Sequence, residues 1–193
     1  DAGLAKTALV QYLRQAAADR RIDCLIGGAG SVEMAVPYAA WRPLFTKLLP
    51  DAASALSADE RRALMDGIRH PQLGPLVNAV VPGFFEETPL TQSLSGQARA
   101  DATLSVLSEI IGLRATARFV LVLEDCHWMD SASWRLVLRI AQDWPQAMFL
   151  LTSRPGMDVA ELSGLRRLDR FAEIKLSPLR ADAIQALVES VLE

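Results

Sequence analysis

Three short stretches of this chain carry residues that could handle a phosphate. The first is the opening, DAGLAKTALV, in which Ala2, Gly3, Leu4 and Ala5 lead into Lys6 and Thr7. The spacing follows G-x-x-x-x-G-K-[ST], with the first glycine falling before residue 1 and Ala5 standing where the last is expected. In such a loop the backbone N–H groups and the start of the next helix cradle phosphate oxygens. Lys6 then reaches the β- and γ-phosphates as a mobile cation, and the Thr7 hydroxyl binds Mg²⁺. A Cβ at position 5 crowds the close approach that glycine permits. The plainer reading is a helix N-terminus with a chance Lys-Thr pair.

The second stretch is FVLVLEDCHWMD, an apolar run that ends in two adjacent carboxylates, Glu124 and Asp125. One acid in this position holds Mg²⁺, often through water, and its neighbour polarises an attacking water. Thr7, Glu124 and Asp125 are therefore the candidate metal ligands. A charged strand exit is the bland alternative. The order of the elements argues for the pair: a phosphate loop first, an acidic strand end later, then a third strand end. That third stretch is AMFLLTSRP, where Arg154 follows the apolar run. Two readings of Arg154 stay open, a γ-phosphate contact and a solvated arginine before Pro155. Between the second and third stretches, Asp130 or Ser131 is placed to cap the next helix. Trp128 reads as packing, and His127 as either a nucleotide contact or a structural residue.

The elements that must position these groups show in the hydrophobic pattern. The runs at 119–123 and 147–151 are apolar without alternation, which predicts strands of a parallel sheet covered on both faces. IDCLIGG (22–28) and AEIKL (172–176) are weaker strand candidates. Helices are expected over 7–18, over 97–114, after MDSAS, and over the stripe formed by Ile184, Leu187, Val188, Val191 and Leu192. Strands alternating with helices imply right-handed crossovers and an α/β sandwich. Seven of the ten prolines fall within 29–96, so short helices and loops are expected there.

Bulk properties fit one domain. The 193 residues are 51% hydrophobic and 22% charged, which suits a folded core and excludes a disordered chain. The net charge of −3 and the lack of a basic run give no nucleic-acid surface. Cys24 and Cys126 form no CxxC pair, and only His70 and His127 are at hand as nitrogen ligands, so zinc is not expected. No apolar run is long enough to span a membrane, and a cytoplasmic setting is expected. Residue 1 is not Met, and the chain is expected to be a piece of a larger protein.

The segment EDCHWMDSASWRLVLRIAQDWPQAMFLLTSRP resembles the Walker B to sensor-1 region of STAND-type P-loop ATPases, the AAA-like modules of large bacterial signalling proteins. VPYAAWRPLFTKLLP resembles the segment those modules carry after their second strand. FFEETPLTQSLSGQARADATLSVLSEII resembles their lead-in to Walker B, and IKLSPLRADAIQALVESVL their exit from the core. The resemblance implies a P-loop NTPase three-layer sandwich with a parallel sheet. It implies a single domain over 1–193 with a helical insertion at about 29–117, and a first, Walker A strand that is missing from the fragment. Carried over by position, Lys6 and Thr7 are the Walker A pair, Glu124 and Asp125 the Walker B pair, and Arg154 the sensor-1 arginine.

By the same resemblance the chain binds ATP with Mg²⁺ and hydrolyses it slowly, as the switch domain of a signal-transduction or transcription regulator. Its expected partners are ATP and ADP, together with other domains of the same polypeptide: a cyclase, kinase or DNA-binding output and TPR-like repeats. Self-association is left open, and no membrane or direct nucleic-acid contact is expected. The alternative is a degenerate, non-hydrolysing module that serves as a scaffold or interaction domain. Ala5 favours that alternative, and the intact Lys6-Thr7 and Glu124-Asp125 pairs favour the switch. A hydrolase of another kind lacks support, since the chain has no GxSxG elbow.

Overall fold

A computed structural model describes residues 6–49, 57–63, 65–114, 118–157 and 159–176. Its three strands, β1 (Asp23–Gly28), β2 (Phe119–Glu124) and β3 (Ala147–Leu151), pair in parallel in the order β1-β2-β3. Asp23 is in register with Phe119 and Gly28 with Glu124; Phe119 is in register with Ala147 and Leu123 with Leu151. The parallel sheet and its order follow from the composition of β2. FVLVL puts large apolar side chains on both faces, and only a central strand covered on both sides buries them all. Phe119 through Leu123 are all buried. Each such side chain contributes roughly 1.5–3 kcal/mol when fully removed from water.

One face is covered by α1 (Lys6–Asp19), whose Val10 packs with Val120 and Val122. The other face carries the main core. There α2 (Arg42–Leu48), α5 (Gly96–Arg114) and α6 (Ser131–Asp143) bring Leu44, Phe45, Leu107, Ile111, Trp134 and Val137 against Leu25, Leu121 and Leu123. This is an α/β architecture with helices on both faces of a parallel sheet, as expected from a P-loop NTPase. Gly27 admits the closest of these approaches. A Cβ there would lie 2.2 Å from both the Ala40 carbonyl oxygen and Leu44 Cδ1.

Between β1 and β2 the proline-rich chain forms short pieces: a 3-10 turn at Ala39–Trp41, α2, α3 (Ala58–Ala63), a 3-10 stretch at Pro71–Ala79, and α4 (Pro89–Ser93) before α5. Pro43, Pro71 and Pro89 each sit in the first positions of their helices, where no backbone N–H is required. The last described helix is α7 (Ala160–Arg166).

Two expectations need correction. Residues 172–176 form no strand. Their side chains are exposed on both alternating faces, with Ile174 74% exposed, and no strand edge among the described residues receives them. Strand β3 is also less covered than its apolar sequence suggests, because Met148 is 51% exposed at the edge of the sheet. The stripe from Ile184 to Leu192 lies outside the described residues, as do Ala2, Gly3, Leu4 and Ala5. No described helix is long and apolar enough to cross a membrane.

Candidate functional site

The carboxyl ends of β2 and β3 carry the candidate groups. Parallel strands deliver them to one edge, which is where open α/β sheets bind ligands. Glu124 ends β2 half-buried, and its carbonyl accepts the Ala29 N–H at 3.0 Å, extending the β1 ladder by one step. Asp125 then adopts a left-handed conformation, φ 52° and ψ 42°, which turns the chain sharply away from the sheet. Aspartate tolerates that region better than most side chains.

Thr152, just past β3, holds this turn. Its Oγ1 accepts the Asp125 N–H at 3.1 Å, and its carbonyl accepts the Cys126 N–H at 2.8 Å. Its own N–H donates to the Leu123 carbonyl at 3.0 Å. Thr152 is itself buried. The two strand ends are thus tied by three bonds through one residue. Sequence reasoning named Thr152 only as part of a strand end; no local pattern announces a bond made across the sheet.

Cys126, His127 and Trp128 form a short 3-10 turn after Asp125. Cys126 is buried, its Sγ directed to the Leu123 carbonyl at 3.1 Å, and burial pushes its thiol pKa up to about 12. The His127 ring lies against Trp128 at a 42° tilt with ring centroids 4.8 Å apart, and the Arg154 guanidinium lies 5.6 Å from the Trp128 ring centroid. Trp128 therefore lies between His127 and Arg154 and is in neither hydrophobic cluster of the core. Both ring nitrogens of His127 are buried and make no hydrogen bond to any described residue; the Asp125 Oδ1 stands 3.9 Å from Nδ1, beyond bonding distance. Burial lowers the His127 pKa. Arg154 and Lys6 lower it further, and Asp125 opposes them. Lys6 at the start of α1, Arg154 beyond β3 and Asp125 beyond β2 are thus all within electrostatic reach of one ring. Thr7 lies exposed beside Lys6 in the first turn of α1.

Asp130 takes the capping role predicted for it. Its Oδ1 accepts the Ser133 N–H at 2.9 Å at the start of α6. Its Oδ2 accepts the Tyr38 N–H at 3.2 Å and the Ser133 hydroxyl, so one carboxylate joins the loop after β1 to the loop after β2. The Trp41 indole donates to the Ser133 carbonyl at 3.3 Å and strengthens the same junction.

A cleft of about 480 Å³ lies elsewhere, toward the amino end of β1, lined by Arg14, Cys24 and Lys47 among others. It contains none of the candidate groups, and the chemistry argues for the carboxyl edge instead. Among the described residues no three His, Cys, Asp or Glu side chains cluster to hold a metal. Glu124 and Asp125 still suit Mg²⁺, which takes hard oxygen ligands. It is usually bound through one or two carboxylates plus substrate phosphates and water rather than in an all-protein cage.

A family model described as AAA ATPase domain matches residues 1–152, a span that includes the phosphate-loop pattern and both β2 acids. No curated protein and no solved structure matches the chain.

Proposed function

The chain belongs to the AAA ATPase domain family, and on that premise we propose that it is an ATP-binding switch module that hydrolyses ATP slowly with Mg²⁺. The observation that carries the reading is the convergence at one sheet edge. Glu124 ends β2, Asp125 follows it, Arg154 lies beyond β3, and Lys6 and Arg154 are both within electrostatic reach of His127. Family membership supports nucleotide binding; the residue roles below are our assignment.

Ala2, Gly3, Leu4 and Ala5 offer backbone N–H groups to the phosphates, and Lys6 neutralises the β- and γ-oxygens. Thr7, Glu124 and Asp125 would hold Mg²⁺, which when bound neutralises charge that builds on the phosphates. Asp125 or Glu124 orients and deprotonates the attacking water. Arg154, freed from Trp128, donates to the γ-phosphate and stabilises the charge that develops there. Residues 1–193 act as one domain with the insertion at about 29–117. The STAND-type resemblance supports a setting beside a cyclase, kinase or DNA-binding output in a cytoplasmic regulator.

Calorimetric titration with ATP, with and without Mg²⁺, tests this. Wild-type protein should bind at micromolar to millimolar strength, and Lys6→Ala should weaken binding at least about tenfold, the loss of one charge-assisted contact. Absence of binding to the wild type would leave the second reading, a non-hydrolysing scaffold, which Ala5 favours by crowding the phosphate loop.

A further inference from the structure

His127 is the residue the proposed mechanism does not use, and it is the one the structure leaves in deficit. Its side chain is 12% exposed, and both Nδ1 and Nε2 are buried without a hydrogen-bond partner among the described residues. An imidazole always has at least one N–H to donate. A buried polar group without a partner is costly, and such groups are rare in native folds. Packing explains the ring's position but not this cost. The ring rests against Trp128 at a 42° tilt, and the 3-10 turn sets its backbone, with the Trp128 N–H donating to the Asp125 carbonyl at 2.9 Å. The ring is thus placed with its donor unspent.

The charges around it indicate what would complete it. The Arg154 guanidinium lies 5.6 Å from the centroid of the adjoining Trp128 ring, Asp125 Oδ1 stands 3.9 Å from Nδ1, and Lys6 is within electrostatic reach. A cation next to an orphaned donor suits an anionic oxygen. In the proposed reading, the anion nearest the β2 acids is the end of a polyphosphate.

We propose that His127 donates a hydrogen bond to the terminal phosphate oxygen of a bound nucleoside triphosphate and so distinguishes triphosphate from diphosphate. The assignment rests on the nucleotide-binding reading above. The contact exists only when a third phosphate is present, so it adds affinity for the triphosphate alone. His127 is a binding residue here and needs no change of protonation.

The chain contains two histidines, His127 and the exposed His70, so ring nitrogens can be followed individually by ¹⁵N NMR. Saturating a non-hydrolysable ATP analogue with Mg²⁺ should move the His127 ring resonances, ADP should move them much less, and His70 should not move. In parallel, calorimetry on wild type, His127→Gln and His127→Phe gives the ratio of ADP to ATP-analogue dissociation constants. His127→Phe should lower that ratio about tenfold to a hundredfold, in line with one lost hydrogen bond to a charged group, with ADP affinity unchanged. His127→Gln, which keeps a donor, should recover part of the preference.

An unchanged ratio in His127→Phe, with static wild-type resonances, overturns the proposal while leaving nucleotide binding intact. Wild-type protein that binds neither nucleotide overturns both readings. Equal movement with inorganic phosphate alone assigns the contact to free phosphate and overturns the nucleotide assignment. The wild-type spectra make the test independent of whether either variant folds.

Discussion

Thr152 and Asp125 are joined across two strand ends: the threonine hydroxyl oxygen accepts the aspartate N–H at 3.1 Å while Asp125 sits at φ 52°. The left-handed turn that aims the carboxylate is held by a neighbouring strand rather than by its own. Thr152→Val keeps the shape and removes the acceptor. The protein should lose about 1 kcal/mol, a drop of about 2–4 °C in Tm for a domain of this size. ATP turnover should fall further than ATP affinity, because the aim of Asp125 matters to the water and not to the phosphates. Calorimetric melting and a turnover assay on one preparation check both; equal losses in turnover and affinity would refute the aiming role.

Asp125→Asn and Glu124→Gln keep size and remove charge. Each should retain ATP binding and reduce hydrolysis on the order of 100-fold, the usual yield of a positioned general base. Phosphate release under single-turnover conditions reads the chemical step directly. Hydrolysis unaffected by either change would sink the assignment of both acids.

The buried Cys126 thiol, pushed up to about 12 by desolvation and only partly relieved by backbone hydrogen bonds, gives a pH signature. The unfolded thiol loses its proton near 9 while the folded one retains it. Stability should therefore be level below about pH 9 and fall as pH rises toward 12. Urea midpoints at pH 8, 9 and 10 measure this, and Cys126→Ala should flatten the fall. In native protein a maleimide should label Cys24 well before Cys126.

Gly27→Ala should be among the most damaging small substitutions. The added methyl meets the Ala40 backbone oxygen at 2.2 Å, and backbone cannot rotate aside as a side chain can. A loss of about 3 kcal/mol or more is expected, at the high end for overpacking. A urea midpoint within error of wild type would show that the 3-10 turn at Ala39–Trp41 shifts freely.

The elements whose signal is local were legible in the sequence. FVLVL reads as a strand buried on both faces, and Trp134, Val137, Leu138 and Ala141 recur at helical spacing after a capping aspartate. Ala172, Ile174 and Leu176 alternate just as a strand would, yet alternation states only that one face could be buried. It cannot supply the strand edge that would bury it. Met148 makes the complementary point, since an apolar residue on an edge strand looks the same in sequence as one in the centre. In the site, the acids and Arg154 were visible as strand ends. Thr152 and the unpartnered His127 were not, because both properties depend on which residues meet across the sheet.

The parallel sheet also sets the order in which the molecule can assemble. Partners Phe119 and Ala147 are linked by one helix, α6, whereas Asp23 must find Phe119 across the entire proline-rich stretch. Closing the longer loop costs about 1 kcal/mol more entropy by chain statistics alone. The β2–α6–β3 unit is therefore expected to form the folding nucleus, with β1 docking after the transition state. Truncating Val137 should slow folding, while truncating Leu25 should chiefly speed unfolding; the reverse pattern in a chevron analysis would place the nucleus at β1.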